Sequence, residues 1–174
     1  MGIYLNPRNN GFKNIRNSIY VDKSGLIGLI NQTVGTKQKL TCISRPRRFG
    51  KSFAAQMLCA YYDKTCDSAS LFDDLEIATK EPFCDTYKKY LNQYDVIYLD
   101  MTNIMGETKG SNIVSHIRHK VTEELVNSYP ALQADEDSFS ATLIRTTELT
   151  GNKFIMIIDE WDAPIREMPE IQKE

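Results

Sequence analysis

Gly50, Lys51 and Ser52 close the stretch RPRRFGKS at positions 45–52, directly after the apolar KLTCIS. A loop of this kind suits a polyphosphate. Glycine lets the backbone approach oxygen, and the start of a following helix carries partial positive charge. A lysine here reaches the β- and γ-phosphates, and the next hydroxyl is placed to ligate Mg²⁺. The expected nucleotide contacts are Arg47, Arg48, Phe49, Gly50, Lys51, Ser52 and Phe53. The strict pattern asks for a further glycine five residues before Gly50, where Arg45 stands. Pro46 pushes Arg45 toward an extended conformation. The turn is therefore expected over PRRFG, tighter and more basic than a glycine-rich loop.

A second cluster follows another apolar run, FIMIIDE at 154–160. A buried strand ending in Asp159 would bring a carboxylate to Mg²⁺ or its water, and Glu160 would polarise an attacking water. Lys51 and Asp159 are 159 − 51 = 108 residues apart, with a further strand candidate between them. Each cluster has a plainer reading: acids solvated at a strand end, and a charged turn or nucleic-acid patch at RPRR. The formal net charge of -2 argues against the chain as a whole being a polycation.

The elements that must position these groups follow from periodicity. KLTCIS at 39–44 reads as a strand, and KSFAAQMLCAYYD reads as a buried helix starting near Gly50. DVIYLDMT supplies a strand of Val96, Ile97, Tyr98 and Leu99. In GSNIVSHIRHKVTEELVNSYP, Ile113, Ile117, Val121, Leu125 and Val126 recur at helical spacing before Pro130. DEDSFSATLIRTTELTG reads as a helix capped near Asp135 or Asp137 and ended by Gly151. Upstream, Asp22 or Ser24 is expected to cap a helix with Leu26, Ile27, Leu29 and Ile30 on its apolar face. LFDDLEI reads as an irregular link, and EPFCDTYKKYLNQY as a helix with Pro82 in its first turn. Apolar strands separated by helices imply an α/β class with a mainly parallel open sheet. Both charged clusters then fall at the carboxyl edge of that sheet, where such folds bind ligands.

With 174 residues the chain is long enough for one domain, and 41% hydrophobic residues can fill its core. Cys42, Cys59, Cys66 and Cys84 show no CxxC spacing. A reduced, cytoplasmic protein is expected, with Cys42 packing as a small hydrophobe. No run approaches the roughly eighteen apolar residues needed to cross a bilayer, so no membrane association is expected.

Smaller signals have two readings each. His116 and His119 have a spacing open to metal binding on a helix, but an exposed polar face fits better with no carboxylate or cysteine at an adjoining helical position. Asp100 would meet a water or cap a structural turn; Asp162 would assist Asp159 through water or cap a helix at Pro164. Trp161, Tyr61 and Tyr62 are expected to pack rather than to stack on a base.

Taken together, RPRRFGKS, the upstream YVDKS, VIYLD and IIDEWDAP resemble the AAA-ATPase-like family of P-loop proteins, over about Phe12 to Pro164. The resemblance implies a three-layer P-loop NTPase core over 1–174, with an arginine-rich Walker A at 45–52 and a Walker B at 154–160. It assigns catalysis to Lys51 and Glu160, Mg²⁺ to Ser52 and Asp159, and ATP to the loop, and it connects Tyr20 and Asp22 with the family's N-terminal element. In this division a fourth strand lies between the Walker A and Walker B strands and follows Walker B in sequence. The sheet is accordingly expected to be incomplete at the C-terminus, as the N-terminal part of a longer module; a nuclease-like domain that often follows is not in this sequence. Mg²⁺-dependent ATP binding with hydrolysis is the first expectation. The alternative is a nucleotide-gated interaction module without appreciable turnover, with a protein partner or self-association. A nucleic-acid adaptor acting through RPRR is a third expectation, without other support.

Overall fold

The computed structural model describes residues 2–44, 46, 49–109, 111–135 and 138–167. Arg47 and Arg48, two expected phosphate contacts, lie outside the described residues, as do Arg45 and the cap candidate Asp137.

In chain order the elements are α1 (Asn10–Arg16), α2 (Gly25–Asn31), α3 (Lys51–Tyr62), α4 (Ala69–Phe72), α5 (Glu76–Thr79) and α6 (Cys84–Tyr90). Then come β1 (Asp95–Asp100), α7 (Met101–Thr108), α8 (Ile113–Ser128), α9 (Phe139–Thr150), β2 (Phe154–Asp159) and α10 (Ala163–Glu167). The class is α/β, with one parallel pair of strands, β1 beside β2, among the described residues. Asp95 faces Phe154 at one end of the ladder, and Asp100 faces Asp159 at the other. Both strands therefore deliver an aspartate to the same sheet edge.

Alternation along β1 explains why helices cover both of its faces. Val96 joins a cluster built on α1, α2 and α3, including Phe12, Ile27, Met57, Tyr61 and Tyr62. Ile97 and Leu99 join the opposite cluster, with Ile104, Met105, Val121 and Leu125 of α7 and α8. In β2 the first of these faces is covered, and on the second only Phe154 packs against the opposite cluster. Ile157 is buried, whereas Met156 and Ile158, in register with Ile97 and Leu99, stay 45% and 47% exposed. The expectation of a strand buried on both faces therefore holds for β1 and fails for half of β2.

The outer edge of β1 is occupied by residues near the N-terminus. Tyr98 N donates to Tyr4 O at 2.8 Å, and Asn6 N donates to Val96 O at 2.7 Å. Leu5 forms an antiparallel bridge with Ile97. The Glu124 carboxylate of α8 holds this segment by accepting from Ile3 N, Tyr4 N and Leu5 N at 2.7, 3.0 and 2.6 Å. Buried Asp95 ties the ends together: Asn6 Nδ2 and Tyr129 OH each donate to it at 2.7 Å, and Lys64 Nζ lies 3.5 Å away.

One expected strand is not formed. Residues 39–44 are irregular, Leu40 is 92% exposed, and Cys42 is exposed rather than packed. An extended segment is stabilised by ladder hydrogen bonds to a neighbour. No strand lies beside this one among the described residues. The sheet is thus two-stranded here, and the wider three-layer architecture is not what these strands alone build.

Three smaller expectations are corrected. LFDDLEI is a link only at residues 73–75; its first two residues end α4 and its last two begin α5. Pro82 lies before α6 rather than in its first turn. The cap of α9 is Ser138, whose Oγ accepts from Ala141 N at 3.2 Å, while Asp135 accepts from Ser138 N at 2.9 Å. Gly151 ends α9 as expected, in the left-handed region at φ 72.

Candidate functional site

Gly50 is the N-cap of α3, at φ 75. Glycine is favoured there because the left-handed region disfavours a side chain; a Cβ would also come within 2.9 Å of Lys23 Nζ, the mobile end of a lysine that could move aside. The helix then starts at Lys51, with no acidic residue in its first turn. A helix start presents first-turn N–H groups and the positive end of its dipole, so this end suits an anion. The remainder of α3 is anchored in the core, since Ala54, Ala55 and every residue from Met57 to Tyr62 are buried. The helix packs against β2 and β1, which aims its first turn toward the carboxyl edge of the sheet.

Gly50, Lys51, Ser52 and Phe53 line an open cavity of about 570 Å³ together with Thr102, Glu160 and Arg166. The two clusters from the sequence thus meet across one space. Phe49 is 60% exposed just before the helix, and Phe53 is 53% exposed at the rim. Neither packs as core.

Asp159 closes β2 and is buried. Its Oδ1 accepts from Glu160 N at 3.0 Å, and its Oδ2 accepts from Tyr98 OH at 3.4 Å. Burial, and then the charge of Asp159, push the Tyr98 phenol well above its ordinary range. Glu160 follows at φ 51, a left-handed conformation rare for a residue with a side chain. The Arg166 guanidinium donates to Glu160 Oε2 at 3.3 Å and to Asp162 Oδ2 at 3.0 Å. One arginine therefore orients both acids after the strand.

Ser52 and Asp159 supply hydroxyl and carboxylate oxygens, the donor type that Mg²⁺ prefers. Among the described residues no three His, Cys, Asp or Glu side chains gather into a metal cage. Ser52 lines the cavity, whereas Asp159 is not among its lining residues and stands directly before Glu160, which is.

Other candidates resolve simply. Asp100 is a cap: its Oδ1 accepts from Asn103 N at 3.1 Å and its Oδ2 from Asn103 Nδ2 at 2.9 Å. Tyr61 and Tyr62 are fully buried, so they pack, whereas Trp161 is 57% exposed. His116 pairs with Glu107 of α7 at 3.0 Å, a partner invisible at helical spacing because it comes from another helix. Of the two cap candidates for α2, Ser24 is the N-cap residue, without a side-chain cap hydrogen bond, while Asp22 accepts from Ser24 N and from Glu76 N of α5, each at 2.7 Å. Thr102 and Arg166 are the cavity residues missed from sequence. Arg166 had a readable signal, its i+4 spacing from Asp162. Thr102 had none beyond following a strand.

No helix among the described residues is long and apolar enough to cross a membrane. A family model described as Predicted AAA-ATPase matches residues 10–173. No curated protein and no solved structure matches the chain.

Proposed function

The chain belongs to this predicted AAA-ATPase family, and we propose that it binds ATP with Mg²⁺ at the start of α3 and hydrolyses it. The observation that carries this reading is the shared cavity of Gly50, Lys51, Ser52 and Glu160. Lys51 would neutralise the β- and γ-phosphates, while backbone N–H groups around Gly50 hold their oxygens. Ser52 Oγ and the Asp159 carboxylate would hold Mg²⁺, which, when bound, offsets charge on the phosphate oxygens. Glu160 would accept a proton from the attacking water, and Arg166 would fix the direction of that carboxylate. Arg47 and Arg48, in the same loop by sequence, would add positive charge. Catalysis of this kind rests on placement and electrostatics.

The test is calorimetric titration of Mg²⁺–ATP into the wild-type chain and Lys51→Ala, with phosphate release followed in parallel. Lys51→Ala is expected to weaken binding by at least about tenfold, the loss of a charge-assisted contact. Equal affinity in the two proteins would remove Lys51 from the site.

A second reading is favoured by the sheet. The edge of β2 away from β1 carries no strand among the described residues, and Met156 and Ile158 lie exposed beside it. A nucleotide-gated interaction module would bind ATP at the same loop and use this surface for a protein partner or a second copy, without appreciable turnover. Tight ATP binding with no phosphate release would select it. Salt-sensitive DNA or RNA binding that ignores ATP would instead favour an adaptor role for the RPRR loop.

A further inference from the structure

We infer that Lys23 is a positioning residue of the phosphate loop: its ammonium holds the Phe49–Gly50 peptide in the orientation that nucleotide binding requires. This rests on the assignment of nucleotide to residues 49–52. Lys23 is exposed and 27 positions before Gly50 (50 − 23 = 27), yet its Nζ donates to Phe49 O at 2.7 Å. The same nitrogen lies 2.9 Å from where a Gly50 Cβ would stand.

The peptide between Phe49 and Gly50 explains why this contact matters. In a planar trans peptide the carbonyl and the following N–H point in opposite directions. Drawing the Phe49 carbonyl toward Lys23 therefore turns the Gly50 N–H the other way and fixes it there. A phosphate cradle depends on such N–H groups being aimed before the ligand arrives. Gly50, at φ 75, is held on its carbonyl side by Ala54 N, which donates to Gly50 O at 3.0 Å, and the Lys23 contact holds the peptide on its other side. The ammonium also has three donors, and Phe49 O takes one. The remaining charge lies beside the loop and adds to that of Lys51.

The anchor of Lys23 is well built for such a role. Asp22 Oδ1 accepts from Ser24 N and Asp22 Oδ2 accepts from Glu76 N, each at 2.7 Å. Buried Ser24 accepts at Oγ from Ile77 N at 3.0 Å. Tyr20 packs edge-on against Phe12, and Arg16 lies over its ring. Burial works against ionisation of Asp22, but the N–H groups of Glu76 and Ser24 more than offset it and hold its carboxyl below the usual range. The turn is thus fixed to α5 and to the α1 cluster, and the lysine side chain spans from that fixed base to the loop. This gives YVDKS a task that its distance in sequence from GKS does not reveal.

The test uses the full chain with Lys23→Met, which keeps the stem and removes the charge, and Lys23→Arg, which keeps the charge. Mg²⁺–ATP affinity is measured by calorimetry, thermal unfolding is followed in parallel, and amide exchange at Gly50 is recorded without nucleotide. Lys23→Met is expected to weaken ATP binding about tenfold and to speed Gly50 exchange, with Tm unchanged; Lys23→Arg is expected to recover most of both. Wild-type affinity in Lys23→Met, or equal loss in Lys23→Met and Lys23→Arg, overturns the inference while leaving the nucleotide site standing. A wild-type chain that binds no ATP, or Lys51→Ala binding as tightly as wild type, overturns the site assignment and the inference with it. If Lys23→Met lowers Tm, Lys23→Gln replaces it, and a loss of affinity that tracks Tm in both counts against a positioning role.

Discussion

Lys51 and Glu160 line one cavity although 160 − 51 = 109 residues separate them. Two local facts bring them together. α3 packs its apolar length on the sheet, so its first turn reaches the carboxyl edge, and β2 runs parallel to β1, so its acids emerge at that same edge. A cation at a helix start then faces a carboxylate at a strand end, with room between them for a polyphosphate. Arg166 completes the balance of charge by pairing with Glu160 and Asp162 rather than leaving the acids opposed to an anionic ligand.

Glu160→Gln separates binding from chemistry. The amide keeps the size of the side chain and can still meet a neighbour, so ATP affinity is expected to stay within about threefold of wild type. Loss of the proton acceptor is expected to lower phosphate release by about a hundredfold or more. Steady-state phosphate release and equilibrium titration on the same preparation check this. Unchanged turnover would take Glu160 out of the reaction.

The legible parts of this chain are those whose pattern is local. α8 shows its inward stripe of Ile117, Val121 and Leu125 and stops before Pro130, and α9 stops at Gly151. The loop and the paired acids were legible because their chemistry is contiguous. KLTCIS was misread because an apolar run implies burial but does not say whether a neighbouring strand exists. The pairing of residues 4–6 with β1 was hidden for the opposite reason, since MGIYLNP has too few residues to show alternation. α7 went unread although Met101, Ile104 and Met105 stand at i, i+3 and i+4, because MTNIMGET is only eight residues long and follows β1 without a break; its start is set by the Asp100 cap. The Lys23–Phe49 contact and the Glu107–His116 pair are tertiary and leave no trace in spacing.

Asp95→Ala is expected to destabilise the fold by about 3 kcal/mol, because it removes the acceptor shared by buried or half-buried donors. Asn6 Nδ2, Tyr129 OH and Lys64 Nζ all converge on this fully buried carboxylate. Its loss leaves their donors without that partner and loosens the N-terminal segment from β1. Urea unfolding monitored by circular dichroism measures the change. A shift below about 0.5 kcal/mol would mean that the network relaxes onto water without cost.

Met156 and Ile158 give a direct reading of whether the open face of β2 is covered in solution. With the side chains 45% and 47% exposed, Met156→Gln and Ile158→Thr are each expected to change stability by no more than about 0.5 kcal/mol. Losses near 2 kcal/mol, the scale of a buried aliphatic side chain, would show that another surface packs there. Repeating the unfolding at several protein concentrations distinguishes a second copy of the chain from a segment of the same chain, because only the former makes Tm depend on concentration.

Alkaline pH should unfold the chain cooperatively. Of nine tyrosines, eight have phenols pushed above their ordinary value: Tyr4, Tyr20, Tyr61, Tyr62, Tyr87, Tyr94, Tyr98 and Tyr129. Burial is the leading cause throughout; for Tyr4, burial and then the Glu107 carboxylate raise it to about 12. An unfolded phenol titrates near pH 10. Between that value and the folded one the native chain retains protons that the unfolded chain has lost, so stability falls as pH rises. The contribution is fully present below about pH 10 and disappears as pH climbs toward 12 and beyond. Urea midpoints measured at about pH 8, 9.5 and 11, together with phenolate absorbance, provide the check. The midpoint should fall between the last two values, and phenolate should appear together with loss of helix signal. Ionisation of most tyrosines near pH 10 with the helices intact would contradict the burial of Tyr61 and Tyr62 and the packing of α3 on which the site depends.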